Sequence, residues 1–325
     1  MRRVFSAVLF LSLAAGLLAD DQKNKKDDPS QIGNRDVGKG INIYSIEREI
    51  ALGKQLAQEV TRQAKVNDDP LISEYLNRLC QNLARNSDAR VPISCQLIEG
   101  ESPNAFALPG GYIFVFTGLF KIAGEEAEMA AAIAHEIAHV AARHMTKQET
   151  KSTIVNAASI PISILLGGGL GGYAIRQGAG FGIPAAMLHF TRKDETEADY
   201  LGVQYMYAAG YDPTGAITIF EKLQSLQRKN PSTLGRIFST HPMDGDRIEK
   251  TEKEIARILP DKPEYVISTS EYLDMRERLL RREGRRKAQP ADGRPTLRRS
   301  PGADPNEPST GDDGRPTIKR RDLIE

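Results

Sequence analysis

The sequence predicts an α+β fold, mainly helical around a small sheet. Three patterns carry that reading. A long alanine-rich helical run covers residues 124–144, further helical patterns cover 194–209 and 213–227, and an apolar strand, turn and strand cover 104–117. Taken in order, Ser45 caps a helix through Ile50, Leu56 and Val60, and Asp69 caps a second that opens on Pro70 and carries Leu71, Tyr75, Leu79 and Leu83. Residues 91–98 read as a strand. Residues 104–108 form the next, with Pro109, Gly110 and Gly111 as a tight turn into a third strand rich in β-favouring Tyr112, Ile113, Phe114 and Val115. Gly210 ends the helix at 194–209, Asp212 caps the one at 213–227, and helices near 245–258 and 271–286 close the folded part.

Both ends differ from this middle. Met1, Arg2 and Arg3 precede an apolar run that ends near Leu18, with Ala19 as a small exit residue, so residues 1–19 read as a cleaved secretory signal. Residues 20–40 are charged and without apolar periodicity, a flexible leader. The folded domain is expected over 41–284, and residues 285–325, rich in Arg, Pro and Gly, as a disordered tail. Within the tail DGRPTLRR recurs as DGRPTIKR, read as low-complexity drift. With 44 basic and 43 acidic residues the formal net charge is +1, which offers no field to draw nucleic acid. Two readings of Cys80 and Cys95 stay open, a disulfide suited to an exported chain or two separate buried thiols.

Between Met129 and Ala142 every residue is apolar except His135, Glu136 and His139. Polar side chains on an apolar helix need a partner, and a metal satisfies two imidazoles at once. Positions i and i+4 share a helix face, so His135 and His139 aim at one point while Glu136 sits about 100° around, beside it. This HExxH spacing is that of zinc held by two histidines with the glutamate as general base for a water. Catalytic zinc takes a third protein ligand. Glu195 is the candidate, with Asp199 one turn on positioned to orient an imidazole. Glu197 reads only as a charge complementing the helix N-terminus.

The segments AHEIAHVAARH, ETEADYLG, NAFALPGGYIFVFTGL and STHP followed by Arg247 together resemble the HtpX/BepA-type gluzincin metallopeptidases, the family that includes the CAAX prenyl endopeptidase. The resemblance covers residues 46–258. It implies a gluzincin domain with the small sheet beside the HExxH helix, one Zn2+ per chain on His135, His139 and Glu195, Glu136 as catalytic base, and Asp199 behind the ligands. It further implies His241 as a catalytic group near the metal, able to stabilise an oxyanion or to fill the open position in a latent form. Thr191 stands before Arg192 where relatives usually carry Ser. His144 and His189 receive no role.

Asn104, Ala105, Phe106 and Ala107 resemble the family's substrate-binding edge strand, which holds a peptide by adding it to the sheet. The expected function is therefore a zinc metalloendopeptidase acting on unfolded or misassembled polypeptides in the periplasm or cell envelope. Two competitors are a zinc-binding chaperone with latent activity and a membrane-integrated peptidase. Residues 152–175 carry no charge; Ser152 opens the run and Ile175 closes it, and its glycines and Pro161 favour a lid or membrane-touching loop over a span.

Overall fold

The computed structural model describes residues 25–159, 177–178, 183–184, 190–229, 241 and 246–288. The expected signal, His189, most of the uncharged stretch and the repeat-bearing tail lie outside them. One compact unit extends to Arg281; of the second, Arg282–Glu325, only the end of the last helix is described.

Helix α1 (Ile46–Gln63) starts at Ser45, whose side chain accepts from the Arg48 amide. Helix α2 (Pro70–Arg85) starts at Asp69 in the same manner, with proline where no amide is needed. Strands β1 (Ser94–Ile98), β2 (Ala105–Leu108) and β3 (Tyr112–Phe116) form one sheet in the order β1-β3-β2. β3 runs parallel to β1, Cys95 opposite Ile113, and antiparallel to β2, Ala107 opposite Ile113. The turn between β2 and β3 needs Gly110, whose φ of 72° is costly for any residue with a side chain.

Helix α3 (Thr117–Ile122) leads to α4 (Glu126–Ala141), which is buried on nearly every side and forms the centre of the domain. Then follow α5 (His144–Ser159), a two-residue ladder of β4 (Gln177–Gly178) and β5 (Ile183–Pro184), α6 (Arg192–Ala208), α7 (Gly215–Lys229), α8 (Arg247–Ile258) and α9 (Ser270–Ala288). Among the described residues no helix is long and apolar enough to cross a membrane.

The period-two alternation of β3 divides the core. Ile113 and Val115 pack into the main cluster with Leu76, Leu79, Ile133 and Ile137, while Phe114 packs on the other face with Phe106, Leu108, Val60 and Phe190. A disulfide joins Cys80 of α2 to Cys95 of β1, which decides between the two readings of that pair. α6 lies against α4 so closely that a side chain at Gly202 would stand 3.3 Å from the His135 amide nitrogen.

Two expectations need correction. The helix expected over 124–144 stops at Ala141, and Arg143 adopts φ 58°, left-handed backbone, before a separate helix starts at His144. That conformation costs a non-glycine residue roughly 1–2 kcal/mol. It is held because the Arg143 guanidinium donates to buried Glu49 at 2.7 Å and to the Tyr44 carbonyl at 2.7 Å. The second correction concerns the leader. Arg35 and Val37 are buried, and Arg35 pairs with buried Asp88 at 2.8 Å, so the later part of residues 20–40 is packed onto the domain. Its few apolar groups hid this, because a buried ion pair leaves no hydrophobic period in a sequence.

Candidate metal centre

Helix α4 presents His135, Glu136 and His139, all buried, toward the first two turns of α6. Thr191 caps α6, its hydroxyl accepting from the Asp194 amide while the Asp194 carboxylate returns to the Thr191 amide. Serine and threonine are equivalent in that role, so the departure at Thr191 leaves the helix start unchanged. Glu195 and Asp199 then project one turn apart from the buried side of α6.

The imidazole Nε2 atoms of His135 and His139 lie 3.0 Å apart, and Glu195 places Oε2 3.5 Å from the first and Oε1 3.4 Å from the second. His241 joins them, its Nδ1 2.9 Å from Glu195 Oε1 and 3.4 Å from His135 Nε2. One donor atom from each of His135, His139, Glu195 and His241 falls within 4.8 Å of the others. Glu136 stands beside this group, Oε1 3.5 Å from His241 Nε2. The structure thus brings together all six residues expected at the site.

Asp199 Oδ1 lies 2.9 Å from the other nitrogen of His135, Nδ1. Behind it Arg247, the first residue of α8, grips Asp199 at 2.8 and 2.6 Å and reaches Glu195 Oε2 at 2.8 Å. Arg247 also lies over the Phe220 ring at 4.7 Å. The sequence counts Arg247 among the motif residues of the family resemblance without a role at the site; the fold sets it against Asp199 and Glu195.

Burial pushes the Glu136 carboxyl up, against the pull of His241 and His135. Burial also acts upward on Glu195 and Asp199, yet both are held down, Glu195 well below the usual range by His241, His135 and His139, and Asp199 by Arg247 and His135. Burial lowers His139 well below the ordinary imidazole value, keeping it neutral and able to offer a lone pair. At His135 burial acts downward, but the hydrogen bonds with Asp199 and Glu195 outweigh it and raise the group to about 10.

These residues fit a metal. The donor set, imidazole nitrogens together with the Glu195 carboxylate, is the one that zinc takes. The buried Glu136 Oε2 and His241 Nε2 make no hydrogen bond within the protein, which suits atoms reserved for a ligand.

Residues 70–255 match the profile of Peptidase family M48. The chain belongs to that family. This M48 chain is 29% identical over 259 residues to the beta-barrel assembly-enhancing protease of Yersinia pestis, covering 78% of this chain and 52% of that protein. It is 28% identical over 277 residues to the protein of the same name from Escherichia coli strain K12, 83% and 55% of the two chains. To the mitochondrial metalloendopeptidase OMA1 of Schizosaccharomyces pombe it is 38% identical over 161 residues, 48% and 45%. The M48 chain spans about half the length of these curated relatives. The resemblance read from its motifs agrees with the membership.

Two residues of the M48 chain matter more than its sequence suggests. His144, given no role, is buried with Nδ1 3.0 Å from His139 Nδ1. Glu197, read as a helix-terminal charge, sits 3.4 Å from His144 Nε2 and 3.0 Å from Lys26 Nζ. Burial acts upward on Glu197, but His144 and Lys26 bring it down to about 2.

Proposed function

We propose that this M48 chain is a zinc-dependent metalloendopeptidase, with His135, His139 and Glu195 as ligands and Glu136 as general base. The observation that carries the reading is the convergence of buried donor atoms from His135, His139, Glu195 and His241, with the Glu136 carboxylate alongside. Zinc bound there supplies Lewis-acid polarisation of a water and of the scissile carbonyl. Glu136 takes the proton of that water and delivers it to the departing amine, and its raised affinity for protons suits both halves of that task.

The substrate reading is a polypeptide in extended form. Among the described residues β2 pairs with β3 alone, and its other edge suits strand addition. The Ala107 amide is among the groups that hold the Glu136 carboxylate, which sets that edge against the base. A recess between Leu119, Ala132, Ile219, Phe220 and Leu223 adjoins His135 and Glu136 and suits an apolar side chain next to the scissile bond. Recognition through backbone and one apolar side chain favours unfolded or misassembled proteins. The charged and apolar start of the sequence and the names of the bacterial relatives support a place in the cell envelope, with residues 152–175 as a contact to its membrane.

His241 among the donor atoms favours a second reading, a latent form in which its imidazole fills the position a water needs. The test of both is casein degradation by purified protein with stoichiometric zinc analysis, comparing wild type, Glu136→Gln and His241→Ala. Cutting by the wild type and none by a zinc-loaded Glu136→Gln supports the peptidase. Cutting by His241→Ala alone identifies the latent form. Retained cutting by Glu136→Gln removes the assigned base, and zinc without cutting in every form favours the chaperone alternative.

A further inference from the structure

The two histidines of α4 are oriented in different ways. His135 meets a carboxylate directly, through Nδ1 and Asp199 at 2.9 Å. Among the described residues His139 meets no carboxylate on that side; its Nδ1 meets the Nδ1 of His144 at 3.0 Å, and the ring of Phe190 stacks on it with centroids 3.8 Å apart. His144 in turn puts Nε2 3.4 Å from Glu197 Oε2, while Lys26 holds Oε1 of the same carboxylate at 3.0 Å. Asp194 is farther from His144 Nε2, at 3.9 Å, and is engaged by the cap at Thr191.

We propose that His144 and Glu197, with Lys26 behind them, are positioning residues that fix the proton and ring orientation of His139. The proposal rests on the reading of His139 as a metal ligand. An ionised carboxylate only accepts, so a neutral His144 facing it carries its proton on Nε2. Its Nδ1 is then an acceptor. The nitrogen opposite, His139 Nδ1, must donate, which leaves the lone pair of His139 on Nε2, the atom aimed at Glu195 and His135. The relay moves the orienting carboxylate one imidazole farther out, to a residue whose side chain is 28% exposed. It depends on Arg143: on a continuous helix, position 144 would stand about 140° around from 139, and the left-handed residue between them turns His144 back beneath the ligand.

The test uses the full-length protein and substitutions of matched shape. His144→Asn places an amide oxygen near the former Nδ1 and keeps the acceptor; His144→Leu fills similar space without one. Zinc affinity is measured by competition with a chromophoric chelator, alongside the melting temperature of the metal-free protein. Loss of an outer partner of this kind weakens metal binding by about 10–100-fold, so that loss is expected for Leu, with Asn within a few-fold of wild type. Glu197→Gln retains an acceptor oxygen but no charge, and falls between them. Proton-detected 15N spectra of the zinc-loaded wild type should show His144 protonated at Nε2. Equal affinity of the Leu and wild-type proteins, equal losses for Asn and Leu, or a His144 proton on Nδ1 would each overturn the relay. A wild type that binds no zinc would overturn the metal reading, and the relay with it.

Discussion

Replacing Arg35 with Met tests whether the segment before α1 is part of the cooperative fold. The guanidinium donates to Asp88 Oδ2 at 2.8 Å and to Gln204 at 2.7 Å, and both members of the Arg35 and Asp88 pair have 0% side-chain exposure. Asp88 also accepts from the Gly33 amide at 2.8 Å and from the Tyr205 hydroxyl at 2.9 Å. Methionine keeps much of the volume but leaves a buried carboxylate without its counter-charge, which costs about 3–5 kcal/mol. For a domain of this size each kcal/mol moves the melting temperature by about 2–4 °C, so a drop of roughly 6–20 °C is expected. Urea unfolding followed by far-ultraviolet circular dichroism measures the free energy, and differential scanning calorimetry the temperature. Arg78→Met is the comparison, since Arg78 pairs with Glu74 and Glu271 at the half-exposed surface and its loss should leave both readings unchanged. A loss below about 1 kcal/mol for Arg35→Met would show that the leader does not unfold with the domain, and would refute the argument.

Removing both cysteines, Cys80→Ala with Cys95→Ala, should cost about 3 kcal/mol by the loop-entropy estimate for a separation of 15 residues; a midpoint unchanged in urea would contradict it. Gly53→Ala would set a Cβ 1.7 Å from the Pro109 carbonyl oxygen, forcing α1 off the turn that carries β2 into β3. Melting should reveal a loss of at least about 1–3 kcal/mol, with casein cleavage reduced in the folded fraction; a neutral result would disprove the close approach. Glu197 is depressed from the usual 4.5 to about 2, so its contribution to stability is present above pH 4.5 and is lost as pH falls toward 2. Glu197→Gln should therefore flatten the acid limb of stability within that window and leave the slope above it alone; an identical acid limb would remove the pairing with His144 and Lys26.

The starts of α1 and α2 were legible because Ser45 and Asp69 act on amides two or three residues away. The same holds for β2, β3 and their turn, where alternation and glycine carry the signal within one short segment. His135, Glu136 and His139 were legible for a related reason: one helix presents all three, and its surroundings are apolar. Chemistry confined to single elements is thus written in the residues themselves, together with the family that the motifs share.

The tertiary structure alone decided how those elements meet. Arg247 is only a motif residue without a role until α8 is laid beside α6, and then it grips Glu195 and Asp199. Arg35 reads as part of a leader until Asp88 is found 53 residues away. The break at Arg143 has no proline or glycine to announce it; Glu49 and the Tyr44 carbonyl, both from the start of the domain, hold the strained residue in place. A charge pair or a left-handed residue stabilised by distant partners has no local period, so no window of sequence contains its cause.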